Sequence, residues 1–478
     1  MHRRTTVTLL ALLLAFPLQG ASKFVDRHPP VADALTLLDL WIQEQLDWDR
    51  IPGLAIGIVY DQELIWAKGY GISDHEASTP VTPQTIFRIG SVTKLFTATA
   101  VMQLRDAGKL QLDDPLTDHL PWFDIQGSFE DAGPITIRHL LTHTSGLPRE
   151  APFPYWTDHE FPDLDALKAS VPSQSMLFPP GEKYQYSNLG MGLLGHVVAA
   201  VSGLSYDQYV RTRIFEPLEM EHSTVVLSED HRAALSREYG LFLPDDSRRE
   251  LTYYDAGALR AMGNITSTVE DLARFAALQF RQGPAGGSQL LKGSSLAEMH
   301  RPHHVYGSWS GGRGLGFWLL RRENKTLVGH SGWIGAHLSR FIFSPAEKIA
   351  VIVLINTEAS STAAIAYQAY DLVGPAIVAA VAPPPEKRVA SAGWKKYLGT
   401  YADPWGWEVD VLILDKQLVL YGRNYPPDDD AGDNLTRLTH VEKHAFRTAG
   451  GQPVVFELDR RNRVTRIRRG YNYIYPVE

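Results

Sequence analysis

The pattern of apolar and polar positions divides the chain into three stretches. VADALTLLDLWIQEQLDW places Ala34, Leu37, Leu38, Trp41 and Ile42 at helical spacing, which predicts an amphipathic helix near the start. Two strand-like runs follow, 54–60 and 64–71, joined by a short Asp-containing turn that reads as a hairpin. From about 87 to 280 the pattern is mostly helical segments between Pro/Gly-rich loops. Strand-like runs return at 326–333, 337–343 and 349–356, and STAAIAYQAYDLVGPAIVAAV then reads as a helix. Strands from the two ends of this region are expected to share one antiparallel sheet with helices around it. The fold class predicted is α/β in the α+β sense.

Three successive prolines in APPPEKRVASA stop the helix and mark a linker at 381–392. Beyond it the period changes to short strands: WEVDVLIL, QLVLYG, HAFRT, VVFELD, VTRIRR and YNYIYP. Residues 393–478 are therefore expected to form a small all-β domain, and 31–380 the main one. PDDDAGD at 427–433 reads as a solvated acidic loop, because it lacks the spacing and closing Glu of a calcium loop.

Composition narrows the functions available. The chain has 478 residues, a formal net charge of -8 and no cysteine. The negative charge argues against a nucleic-acid surface. The missing thiol excludes disulfides, thiolate metal sites and a cysteine nucleophile. The leader has Arg3 and Arg4, an apolar run from Val7 to Leu18, and small residues Gly20, Ala21 and Ser22. It reads as a signal peptide over 1–21, too short to span a bilayer, and predicts a secreted or periplasmic protein without stable membrane insertion. No other stretch reads as a membrane span.

Several motifs are absent: G-x-S-x-G, H-E-x-x-H and the phosphate-binding G-x-x-x-x-G-K-[ST]. His139 and His143 are four apart without the accompanying Glu, and read as hydrogen-bonded structural histidines. Gly190-Met-Gly-Leu-Leu-Gly195 matches G-x-G-x-x-G formally, but loop-like FPPGEKYQYSN precedes it where a strand is required. Close helix packing through these glycines is the better reading. No cofactor and no metal are expected.

Three short stretches carry chemistry. Of all the lysines only Lys94 has a serine three residues before it, Ser91. The pair opens SVTKLFTATAVMQLRDAG, which is apolar around most of its circumference and therefore a buried helix, stopping at Gly108. A lysine there needs partners, since desolvating an ammonium is costly. Residues i and i+3 share a face, so the lysine can take the serine proton while helix-end amides stabilise an oxyanion. The spacing also fits an N-capping serine with a lysine reaching solvent. Tyr186-Ser187-Asn188 lies just before a second helix. Tyr186 suits a general base if a nearby cation lowers its pKa; Asn188 suits a hydrogen bond to substrate or to the lysine. The same residues also fit a buried tyrosine with a capping Ser or Asn. His330-Ser331-Gly332-Trp333 lies on a strand running into a turn. Gly332 would admit a close backbone approach by substrate, and the Trp333 amide would supply a second oxyanion donor.

S-V-T-K, Y-S-N and H-S-G, in this order, resemble the serine β-lactamase and penicillin-binding-protein superfamily. They are closest to its class C-like branch of family VIII carboxylesterases, D-aminopeptidases and D-alanyl-D-alanine carboxypeptidases. IRHLLTHTSGL, FEPLEMEHST, GNITSTVEDLARF and GLGFWL also resemble it, over roughly residues 31 to 380. The C-terminal domain resembles the lipocalin-like appendage of some members. The resemblance implies acyl transfer through a covalent acyl-enzyme. Ser91 is then the nucleophile, Lys94 and Tyr186 share proton transfer, Asn188 orients the lysine or substrate, and the Ser91 and Trp333 amides form the oxyanion hole. His330, Ser331 and Gly332 would line the substrate site, with His330 where many members carry a lysine. A histidine is mostly neutral at pH 7, so ester or peptide substrates are expected ahead of β-lactams. The alternatives are a β-lactamase or D,D-carboxypeptidase, and, in another class, a non-catalytic peptide- or peptidoglycan-binding protein. Partners expected are a small ester, peptide or β-lactam-like substrate and a second copy in a homo-oligomer. The small domain is expected to lend a loop to the cleft or to mediate self-association.

Overall fold

The computed structural model describes residues 25–127, 129, 131–245, 247–281, 289–322, 325–358, 361–382, 392–414, 416–423 and 434–477. The leader, the acidic loop at 427–433 and nearly all of the linker lie outside the described residues. The chain forms two compact units that part between Ala382 and Pro383.

The first unit is built on a nine-stranded sheet. Its order is Thr79–Pro80, Glu63–Asp74, Gly53–Tyr60, Ile349–Ile355, His337–Ser344, Lys325–Ile334, Trp318–Arg322, Gly311–Arg313 and His304–Val305. Every neighbouring pair is antiparallel. The two ends of the region thus meet at the pairing of Gly53–Tyr60 with Ile349–Ile355, as the pattern predicts. The strands at 304–305, 311–313 and 318–322 were not expected; two of them are too short for a period-two pattern to show. A strand pair also interrupts the helical middle, Glu238–Phe242 with Arg248–Leu251.

The IAVIVLI run has no alternation because it is covered on both faces. Ala350, Ile352 and Leu354 join the core shared with the helical middle of the chain. Ile349, Val351, Val353 and Ile355 join a second core on the opposite face. There Val31, Leu35, Leu38 and Ile42 of the Pro29–Asp49 helix meet Ile365, Ala369, Val373 and Ile377 of the Thr362–Val381 helix. That last helix has 20 residues and is apolar enough to cross a membrane by length and composition, contrary to the expectation that none beyond the leader would be. Its packed face supplies a different reason for the apolarity: it is a core helix closing the sheet.

The second unit is a nine-stranded antiparallel sheet. Its edge strands, Leu435–Arg437 and Thr439–Glu442, are separated along the chain only by Leu438, so the sheet curls into a nearly closed barrel. Tyr397, Tyr401, Phe446, Phe456 and Ile467 fill the interior. The six expected strands are present, and Gly399–Ala402, Leu435–Arg437 and Thr439–Glu442 join them.

Candidate active site

The nucleophile candidate sits where a short strand turns into a helix. Phe87–Arg88 pairs with Thr266–Ser267, Gly90 takes φ +50, and a single 3-10 turn at Gly90–Val92 leads into the Thr93–Asp106 helix. No side chain caps this helix, so Ser91 is not the N-cap that its spacing also allowed. Gly108, at φ +69, follows the helix end as expected. Eleven of the fourteen helical residues are buried, Lys94 among them at 0% exposure.

Lys94 finds its partners inside the protein rather than in solvent. Its Nζ lies 3.0 Å from Ser91 Oγ, 2.9 Å from Asn188 Oδ1 and 2.6 Å from the Met262 carbonyl oxygen. Burial holds the lysine well below its ordinary value; Glu150 opposes this, while Arg149 and Arg313 reinforce it. A lysine so placed gives up its proton more readily than an exposed one, which is what a base for a serine hydroxyl requires.

Asn188 thus makes the bond to the lysine, one of the two roles open to it. It is the first residue of the Asn188–Ser202 helix, whose N-cap is Ser187, accepting from the Gly190 amide at 2.9 Å. In the same helix a Cβ on Gly192 would lie 2.5 Å from Leu259 Cδ2, and one on Gly195 2.4 Å from Ala261 Cβ. These glycines serve close packing, which pins the Tyr186-Ser187-Asn188 turn against the core.

The Tyr186 phenol feels the Ser91 side chain, which acts to lower its pKa, so both proton-transfer candidates adjoin the serine. Cations that act to acidify Tyr186 are present: the Arg149 and Arg313 guanidinium groups lie 5.0 and 5.9 Å from the ring centroid. They do not prevail. Burial pushes the phenol above its ordinary value, which favours its protonated form. His143 backs the ring, with centroids 4.5 Å apart, and accepts from the Ser187 amide through Nδ1 at 3.2 Å. His139 lies within a capping box with Thr136. Both histidines are hydrogen-bonded as expected.

The Lys325–Ile334 strand brings the third stretch to the same place. Gly332 needs to be glycine for a reason inside the fold. A Cβ there would lie 2.0 Å from the Ile89 carbonyl oxygen and 2.3 Å from Ser339 Oγ, so the chain leading to the nucleophile makes a close approach. Gly332→Ala is expected to cost upward of about 2 kcal/mol, read as a fall in Tm, because backbone on the facing strand has to move. The Trp333 amide nitrogen borders Gly90: a Cβ on Gly90 would lie 2.6 Å from it. The amides of Ser91 and Trp333 are thereby neighbours. Ser331, half-buried, pairs in register with Arg340. His330 is buried and held well below its ordinary value, first by burial, then by Lys94 and Arg313. It is the neutral group expected. Its Nδ1 donates to the Ser331 carbonyl at 2.6 Å, which leaves Nε2 as an acceptor, and that atom has no partner.

All eight residues singled out from the sequence meet here. Ser91, Tyr186, Asn188, His330, Ser331, Gly332 and Trp333 line one cleft of about 1240 Å³, with Lys94 beneath it. Glu150, Tyr184, Met262 and Arg313 also line it and were missed. Their only signal was adjacency: Glu150 follows THTSGL, Met262 precedes GNITS and Arg313 precedes GLGFWL. Arg313 donates to the Tyr184 hydroxyl and sits over that ring at 4.6 Å.

Comparison with known proteins agrees with this arrangement. The family described as Beta-lactamase matches residues 38–374. Protein flp of Staphylococcus aureus (strain MW2) is 28% identical over 326 residues, 68% of this chain and 63% of that protein. Beta-lactamase-like protein 2 of Dictyostelium discoideum is 30% identical over 301 residues, 62% of this chain and 54% of that protein. The chain thus covers less than two-thirds of the length of either relative. Among solved structures, the octameric penicillin-binding protein homologue from Pyrococcus abyssi superposes with a TM-score of 0.62 at 25% identity, over 92% of this chain and 99% of that one. With 337 consecutive residues matched, and with the serine, lysine, tyrosine and histidine stretches brought into one cleft, the chain belongs to the beta-lactamase family.

Proposed function

We propose that the protein is a serine hydrolase that acts through an acyl-Ser91 intermediate on esters or peptides, D-amino-acid-containing peptides included. The observation that carries this reading is the environment of Lys94: a fully buried amine, depressed by burial, 3.0 Å from a half-exposed serine hydroxyl.

The proposed acylation runs as follows. Neutral Lys94 takes the Ser91 proton as Oγ bonds to the substrate carbonyl carbon. The charge that develops on the carbonyl oxygen is met by the Ser91 and Trp333 amides. Collapse breaks the bond to the leaving group, which takes a proton from the Tyr186 hydroxyl; the Lys94 ammonium, whose Nζ lies 4.9 Å from that ring, then gives its proton to the Tyr186 phenolate, restoring the neutral amine. Water then attacks the ester with Lys94 again as base. The division of labour, lysine as base and tyrosine as donor, follows from the opposite effect of burial on a cation and on a phenol.

The class C-like esterase and peptidase reading rests on His330. A lysine there would offer a permanent cation to a substrate carboxylate. His330 offers an unpartnered neutral acceptor, suited to a substrate N–H or O–H. β-Lactam turnover is accordingly expected to be slow beside ester turnover. Export rests on the leader, and the lipocalin-like reading of the small domain on its strand pattern. The octamer named for the Pyrococcus protein supports looking for a homo-oligomer here. The test of the whole reading is intact-mass analysis after exposure to activated esters, D-peptides and β-lactams. An acyl adduct on Ser91 with at least one panel member is expected, and its absence with all of them would favour a non-catalytic binding protein.

A further inference from the structure

The hydrogen bonds around Asn188 continue past Lys94 to a carboxylate that the acylation scheme does not use. Glu150 Oε1 accepts from Asn188 Nδ2 at 2.7 Å. It also accepts from Arg149 Nε at 3.1 Å, and Oε2 accepts from the Tyr155 hydroxyl at 2.7 Å. Tyr155 is buried at 0% exposure, and its oxygen accepts in turn from the Ala151 amide at 3.1 Å. Backbone bonds clamp the same loop to the helix start: the Asn188 amide donates to the Arg149 carbonyl at 2.7 Å, and Ser187 Oγ to the Pro148 carbonyl at 2.7 Å. The carboxylate is thus held from both sides.

An asparagine amide has a donor end and an acceptor end, and its local geometry fits either orientation. A carboxylate removes the choice, because it only accepts. Nδ2 must face Glu150, so Oδ1 must face Lys94. The Met262 carbonyl, 2.6 Å from Nζ, is likewise only an acceptor. In neutral Lys94 these two acceptors take both N–H bonds. The remaining tetrahedral position, the lone pair, is left for Ser91 Oγ at 3.0 Å. With the amide reversed, Nδ2 would compete for that lone pair and the base would be spent on a neighbour.

We infer that Glu150 is a positioning residue for the serine–lysine pair, fixing which end of the Asn188 amide meets Lys94 and so aiming the lysine lone pair at Ser91. This inference rests on the acyl-transfer reading above. It has an electrostatic consequence. The charged and titratable groups facing Lys94 are Arg149, Glu150, Arg313, His143, Tyr186 and His330. Glu150 is the anion among them that favours the ammonium form. Without its charge, Arg149 and Arg313 act unopposed and Lys94 deprotonates at lower pH.

The test uses Glu150→Gln and Tyr155→Phe in the full chain, with nitrophenyl-ester kinetics across pH and melting curves. Glu150→Gln is expected to lower kcat about 10-fold or more with little change in KM. Its acid limb of kcat/KM should move to lower pH. Tyr155→Phe keeps the carboxylate charge but frees one oxygen, so a smaller fall in kcat with an unmoved limb is expected. A Glu150→Gln protein with wild-type kcat, or with an unmoved limb and only a lower Tm, would overturn the inference. If Glu150→Gln does not fold, wild-type kcat in Tyr155→Phe overturns it instead. Fluorophosphonate labelling of wild-type Ser91 separates the two levels: no labelling sinks the acyl-transfer reading, whereas labelling with unaltered variants sinks only the role of Glu150.

Discussion

Ser91→Ala is expected to reduce ester turnover by about 10³-fold or more while leaving the protein folded. The loss is large because the buried Lys94 amine is 3.0 Å from this one oxygen, and the same cleft holds Tyr186 and Trp333 beside it. The fold is expected to survive for an equally local reason. Ser91 caps no helix, is half-exposed, and its hydroxyl is one of three hydrogen-bond partners around Lys94. The measurement is turnover of a nitrophenyl ester and fluorophosphonate labelling, with a melting curve as control. Equal turnover by variant and wild type would show that Ser91 is not the nucleophile.

Lys94→Met is the second large effect and acts on two observables in different directions. Acylation of Ser91 should fall by roughly 10²- to 10⁴-fold, the range expected for loss of a general base. Stability should respond to pH in a way that identifies the lysine. In the folded protein burial depresses Lys94 below its ordinary value of 10.5, so over the interval between the two values the unfolded chain holds a proton that the folded one has released. Folding stability of the wild type therefore rises with pH across that interval. Below the interval both states are protonated, and the buried ammonium costs the folded protein in full. Methionine removes that cost but leaves the Asn188 and Met262 acceptors without a donor, which costs about 1–3 kcal/mol for each. The absolute change in Tm thus combines opposing effects, while its slope does not. Tm of the variant minus Tm of the wild type is expected to be more positive at acidic pH and to decline as pH approaches 10.5. A difference independent of pH would mean that Lys94 is an ordinary lysine and not the base.

Much of the main sheet was legible along the chain because its central strands are long and either alternate or are continuously apolar. The Ile349–Ile355 strand and its neighbours lie within a residue or two of their expected bounds. The strands His304–Val305 and Gly311–Arg313 were not, since two or three residues carry no period and tertiary pairing alone defines them. The site was legible as stretches. Ser91 and Lys94 could be paired from spacing, because i and i+3 share a helix face whatever surrounds them. Tyr186 was found as a residue but not in its ionisation: the Arg149 and Arg313 guanidinium groups lie 5.0 and 5.9 Å from its ring, yet burial outweighs them. The contact that requires glycine at 332 was not legible, since the Ile89 carbonyl that a Cβ there would meet is 243 positions away along the chain.

By itself, then, the order of residues determined which groups are reactive and which elements carry them, because reactivity and periodicity are properties of residue type and local spacing. The tertiary structure decided how burial acts on each of them, lowering the lysine and raising the phenol. It also supplied Glu150, Met262 and Arg313, and set the Ile89 carbonyl against Gly332. Those outcomes depend on burial, and on hydrogen-bond partners distant in the chain. Desolvation and long-range contacts come into existence only when the sheet and helices close around the cleft.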